Sequence, residues 1–256
     1  MSGSHFPSRR SRKSSAALAA LLLLIVLAIT TAASAATDSF TQGVKAYDAG
    51  KFDDAVQLFQ NAATTAPSFS AYYNLGNAQW QANHAGEAIL AWEHAQWLNP
   101  LAKDPRNNLR FARRMGLLEN PQLAWYEICS MWLPPDLWPW LACATFWGAL
   151  ALVFLPGIFR LRRSGWLQGV AAASFALFLL TLPALFGIQT RSHIGIVLEA
   201  STPLRLTPTS EAQYVTRLAA GETARVERER GNYVYVHTST SAGWLGRDEL
   251  GIVSRN

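Results

Sequence analysis

Two stretches of this sequence contain no charge at all. From Leu137 to Phe159, and again from Trp166 to Ile188, there is no Asp, Glu, Lys or Arg. Each run holds 23 residues. As a helix rising about 1.5 Å per residue, each reaches roughly 34 Å, against about 30 Å for the hydrocarbon core of a bilayer. Both are therefore long enough to span a membrane and longer than usual core helices. The lack of ionisable side chains inside them excludes a proton or ion path built from such groups. Cysteine is scarce too: the 256 residues include only Cys129 and Cys143, which straddle the start of the first run. With one at the interface and one inside the membrane, they make no structural disulfide, and their spacing resembles no metal site. A basic excess is also missing from most of the chain. Of the net charge of +5, four come from Arg9, Arg10, Arg12 and Lys13, which leaves +1 elsewhere and no global support for a nucleic-acid partner. Neither His193 nor His237 has a cysteine beside it, so no cysteine–histidine catalytic arrangement is visible and no metal or cofactor is expected.

Residues 1–35 have a basic segment around Arg9–Lys13, an apolar run Ala16–Ala32 and an A-x-A site at Ala33-Ser34-Ala35. This pattern is a secretory signal peptide cut near Ala35, or an uncleaved anchor, and both place Ala36 onward outside the cytoplasm.

Residues 36–116 repeat themselves. Gly43, Ala55, Phe59, Ala62 and Pro67 recur as Gly76, Ala88, Trp92, Ala95 and Pro100, every offset being 33. Small residues let two helices approach closely, an aromatic fills the gap between them, and proline stops the second helix. Helices are expected over about 38–49, 53–65, 69–82, 86–98 and 104–115, the last capping the array. The pattern resembles the tetratricopeptide repeat. That resemblance implies a concave face carrying Tyr47, Tyr73, Asn74, Asn77 and Trp80, continued by Arg106, Arg110 and Arg113 on the cap. Such a surface, aromatic at one end and basic at the other, would suit a protein segment with acidic groups.

Residues 117–136 form a linker rich in Trp, Tyr and Pro. It reads either as an interfacial belt, with Leu123, Tyr126 and Ile128 flat on the bilayer, or as a segment packed on the last repeat helix. Membrane helices follow at 137–159 and 166–188, joined by a turn at 160–165 that carries Arg160, Arg162 and Arg163. Charge places that turn in the cytoplasm and both flanking domains outside.

From 193 to 254 the pattern changes to period two. Strands are expected at Ile194–Leu198, Pro203–Leu206, Thr223–Glu229, Tyr233–His237 and Gly243–Leu245, with Val226, Val234, Val236 and Leu245 turned inward. Five short strands in about sixty residues make a small barrel. The succession Pro203-Leu204-Arg205-Leu206, Leu218-Ala219-Ala220-Gly221, Gly231–Val236 and Gly243-Trp244-Leu245 resembles a bacterial SH3-like domain. The resemblance implies a ligand patch at Tyr233 and Trp244.

The fold class expected is thus multi-domain: an all-α tetratricopeptide array, a two-helix transmembrane hairpin and a small all-β SH3-like barrel. This order resembles the BatE family, the tetratricopeptide proteins of bacterial aerotolerance operons. The resemblance implies a non-enzymatic scaffold of the bacterial inner membrane with both soluble domains in the periplasm. It also implies protein partners: membrane proteins with von Willebrand factor A domains and a MoxR-type AAA+ ATPase. An envelope sensor or signal-transducing adaptor is the alternative.

Overall fold

The structure is a computed structural model that describes residues 36–158 and 165–254. The expected signal peptide and most of the arginine turn lie outside the described residues. The chain divides into two compact units between Pro67 and Ser68.

The first unit is a helix pair. Helix α1 covers residues 36–48 and α2 is Phe52–Thr65. Gly50 makes the turn with φ of +73°, a backbone state open to glycine without a Cβ penalty. Gly43 faces the ring of Phe59, where an added Cβ would sit 2.8 Å from the aromatic edge. Phe40 meets the same ring edge-on at 5.5 Å.

The second unit opens with a second helix pair, α3 (Phe69–Gln81) and α4 (Ala85–Leu98), followed by α5 (Lys103–Met115). Ser68 caps α3, its Oγ accepting from the Ala71 N–H at 3.2 Å. Gly76 faces Trp92 as Gly43 faces Phe59, with an added Cβ 2.6 Å from the indole. The 33-residue periodicity is therefore a repeated physical contact, glycine under an aromatic, made once in each helix pair.

After a short helix α6 (Trp125–Ser130) come α7 (Leu137–Ile158) and α8 (Gly165–Arg191). Both are long and apolar enough to cross a membrane, and only 22% of the most apolar window of each is buried. Trp147, Phe154, Ile158, Leu180 and Phe186 stay exposed, as a core helix could not allow. The two run antiparallel; Phe146 lies 5.1 Å from Phe178, and Ser174 donates to the Thr145 carbonyl at 3.0 Å. Pro156 and Pro183 lie inside the helices without ending them, and α8 continues three residues past the expected end at Ile188.

The C-terminal part is a seven-stranded antiparallel sheet in the order β3-β2-β6-β5-β4-β1-β7. Its strands are β1 (Ile194–Val197), β2 (Thr202–Arg205), β3 (Tyr214–Leu218), β4 (Thr223–Arg230), β5 (Tyr233–His237), β6 (Ala242–Gly246) and β7 (Leu250–Ile252). Val226, Val234, Val236 and Leu245 are all buried. Two strands, β3 and β7, exceed the five expected.

The sheet is packed on the helices. All four residues of β1 are buried: Val197 belongs to the core of the sheet, while Ile194 and Ile196 join Ile89, Trp92, Trp97 and Leu109 in the core of the helices. A strand covered on both faces needs no polar alternation, and Ile194-Gly195-Ile196-Val197 has none. Gly86 admits the sheet to α4, since a Cβ there would stand 2.0 Å from the Leu198 carbonyl oxygen. His94 of α4 donates from Nε2 to the Ile252 carbonyl of β7 at 2.8 Å. Its burial lowers its pKa, against the opposing pull of that carbonyl and of Glu93.

A polar knot ties the sheet to the ends of the apolar helices. Glu127 of α6 is 1% exposed and receives a two-pronged contact from Arg225 of β4, at 2.8 and 3.2 Å. It also accepts from the Ala124 N–H at 2.8 Å, closing the first turn of α6. Burial alone would raise the Glu127 pKa, but the hydrogen bonds from Arg225 and Ala124 and the charge of Arg225 hold it below the usual carboxylate range. Arg225 reaches the Thr190 carbonyl of α8 as well, at 3.3 Å. Beside it, Arg191 stacks over Trp97 at 4.8 Å and donates to Ser130 Oγ at 3.1 Å. Trp138 donates to the Ser130 carbonyl. Leu123 of the linker packs on the helical core, while Trp125, Ile128 and Trp132 are exposed.

Candidate functional site

The residues expected on the concave face have separate fates. Tyr47, in the first unit, is half-buried and edge-on to Phe52 at 5.4 Å. In the second unit, Tyr73 is half-buried and stacks on Phe69 at 5.9 Å. Asn74 donates to the Ser70 carbonyl one turn back. Asn77 accepts from both Trp92 Nε1 and Asn108 Nδ2 at 3.0 Å, a bridge between α3, α4 and α5. Trp80 packs against Trp92 and Phe111. Tyr47, Asn77 and Trp80 make contacts between helices, whereas the stack of Tyr73 on Phe69 and the hydrogen bond of Asn74 stay within α3.

The arginines gather elsewhere. Arg106, Arg110, Arg113 and Arg114, with Gln96, Leu109, Leu118 and Asn120, line a cleft of about 390 Å³. A second cavity of about 250 Å³ shares Gln96, Arg106, Arg113 and Asn120 with it, and reaches Met131 and Arg191. Helix α5 supplies the four guanidinium groups because positions three and four apart share a helical face. Arg113 is 9% exposed and pairs with Glu93 of α4, yet its Nε has no partner. Arg106 donates to the Pro100 carbonyl at 2.7 Å. Arg110 and Arg114 are exposed and make neither a hydrogen bond nor an ion pair among the described residues. Gln96 was not singled out from the sequence. Arg114 was legible as the neighbour of Arg113 in the basic last turn, whereas Gln96 enters only through packing.

The sheet assembles a different surface. Strand register places Arg228 opposite Tyr235, Tyr235 opposite Trp244, and Trp244 opposite Arg205. These four side chains form a row across β4, β5, β6 and β2. The rings of Tyr235 and Trp244 are 5.2 Å apart, and Arg228 stacks on Tyr235 at 4.9 Å. At the other end Arg205 lies 5.9 Å from the Tyr233 ring and is gripped by Glu249 at 2.8 and 3.0 Å. That hydrogen-bonded pairing raises the Arg205 pKa. Glu249 is held low by Arg205 and the Gly246 N–H, against the upward push of burial. Tyr233 and Trp244 are thus on one face, but the direct neighbour of Trp244 is Tyr235. Alternation along Tyr233-Val234-Tyr235 already put Tyr235 on that face; the pairing with Trp244 depends on register, which sequence alone leaves open.

Among the described residues no group of His, Cys, Asp and Glu side chains could hold a metal ion. No protein-family model matches the chain, and no curated protein matches it significantly.

Proposed function

We propose that this protein is a non-enzymatic, membrane-anchored adaptor that docks another protein on the outer face of its sheet. The observation that carries this reading is the row Arg228–Tyr235–Trp244–Arg205, an aromatic strip with a cation at each end. The few residues that carry most of the affinity where proteins meet are enriched in tyrosine, tryptophan and arginine, and the aromatic rings cover large area at small entropic cost. In this reading the helix pairs are tetratricopeptide units, the sheet is an SH3-like module, and α7 and α8 anchor both to the periplasmic side of a bacterial inner membrane. Membrane proteins with von Willebrand factor A domains, working with a MoxR-type ATPase, are the partner class that the resemblance suggests. A photo-crosslinking amino acid at position 235 in intact cells tests it. A discrete protein adduct that Trp244→Ala abolishes is expected; no adduct, or one insensitive to Trp244→Ala, overturns it.

A second reading, an envelope sensor, is favoured by the Arg225 contacts to Glu127 and Thr190, which run from the sheet to the end of α8. It requires that occupancy of the sheet alter crosslinking between cysteines placed in α7 and α8. Unchanged crosslinking leaves the adaptor alone.

A further inference from the structure

The cleft on α5 differs from an ordinary solvated basic face in three respects. Its guanidinium groups surround a concavity of about 390 Å³ that shares a wall with the neighbouring cavity. Glu93 is the one carboxylate on its wall among the described residues, and Arg113 already pairs with it. Third, donors are left over inside. Arg113 keeps a buried, unpartnered Nε, while the amide of Gln96 makes no hydrogen bond among the described residues and keeps access to solvent. A buried donor without an acceptor costs about 1–3 kcal/mol, so an acceptor supplied from outside would be held strongly.

We propose that this chamber binds a phosphate group, borne by a soluble phosphate ester or by a lipid headgroup. Phosphate fits better than carboxylate because it offers three or four acceptor oxygens in a compact tetrahedron. Forked guanidinium donors arriving from several directions can all be satisfied by it, whereas a carboxylate has two oxygens in one plane. Arg110 and Arg114 would close over the ligand from the solvent side, Arg113 and Gln96 would hold it from within, and Arg106 and Asn120 would flank it. The chamber also has room beyond a bare phosphate, so the ligand is an ester. The adjoining cavity is lined in part by Met131 and Arg191, which lie next to the ends of α7 and α8, the level at which headgroups lie if those helices span a bilayer.

The test uses the full chain in neutral detergent after lipid removal. Calorimetry reads binding of glycerol 1-phosphate; native mass spectrometry reads retention of phosphatidylglycerol against diacylglycerol, which lacks the phosphate. Arg110→Gln combined with Arg114→Gln removes two exposed guanidinium groups that hold nothing else, so the melting temperature should stay within about 2 °C of the parent. At least a tenfold loss of affinity or retention in the double variant is expected. Binding of the soluble ester marks a free ligand, and binding of phosphatidylglycerol alone marks a lipid. The proposal is overturned if neither binds, if binding ignores the double variant, or if a hexaglutamate peptide binds tighter than both and is lost in that variant. The double variant leaves the sheet row intact, so crosslinking from position 235 reports separately on protein docking.

Discussion

Glu127 is the residue at which α6, β4 and the end of α8 are tied together. Its charge is compatible with near-complete burial only because Arg225 and the Ala124 N–H compensate for lost hydration. Glu127→Gln should lower stability by about 2 kcal/mol, less than the 3–5 kcal/mol of a fully buried broken pair, because Arg225 can turn to water. Thermal melts in detergent at pH 7 would register this. The pH dependence has a definite sign. The folded-state pKa of Glu127 lies below its unfolded value, so its contribution is complete above about pH 4.3 and is lost as pH falls through the lowered folded value. The gap between parent and Glu127→Gln should therefore narrow in acid; a constant gap from pH 7 to 3 would show that the pairing has no such linkage.

At the level of elements, α4 carries the architecture. One side meets α3 through Trp92 over Gly76, and another meets the sheet through Gly86 and Ile89. Gly86→Ala would drive a Cβ into the Leu198 carbonyl, and backbone cannot yield as a flexible side chain can. A loss of about 3 kcal/mol is expected, read as a lower melting temperature; a neutral effect would mean that α4 and β1 separate at little cost. The repeat positions and the helices were legible because they rest on local periodicity, small residues and aromatics at a fixed offset. The missing strands had weak local signals. Four of the five residues of β3 are not buried, so Tyr214–Leu218 shows little inward pattern, and β7 is three residues long. The sites were legible in part. Arg106, Arg110 and Arg113 do surround one cleft, but the pairing of Arg113 with Glu93, and of Glu127 with Arg225 across 98 positions, depends on tertiary approach. The inner-face asparagine and tryptophan at 77 and 80 belong to the contacts between helices, which a helical pattern cannot distinguish from a free surface.

For the whole molecule, the arrangement of α7 and α8 determines what can lie on one side of a membrane. If both helices span a bilayer, as proposed, two crossings return the chain to the side it left. On the proposed orientation, alkaline phosphatase fused after Gly116 or after Asn256 should be active, and a fusion at Arg163 inactive, because the enzyme folds only outside the cytoplasm. Activity at Arg163 alone would reverse the orientation. The helices from Ser68 onward and the sheet are not two beads on a string, since Ile194 and Ile196 are buried among the helical residues. The shared core has a consequence for recognition. The arginine cleft and the aromatic row stand at a fixed separation, like two teeth of one key. A ligand or complex that engages both gains the affinity of the second contact only if its own two docking points match that span. Selectivity would then reside in distance, and partners alike in chemistry but unlike in spacing would be told apart.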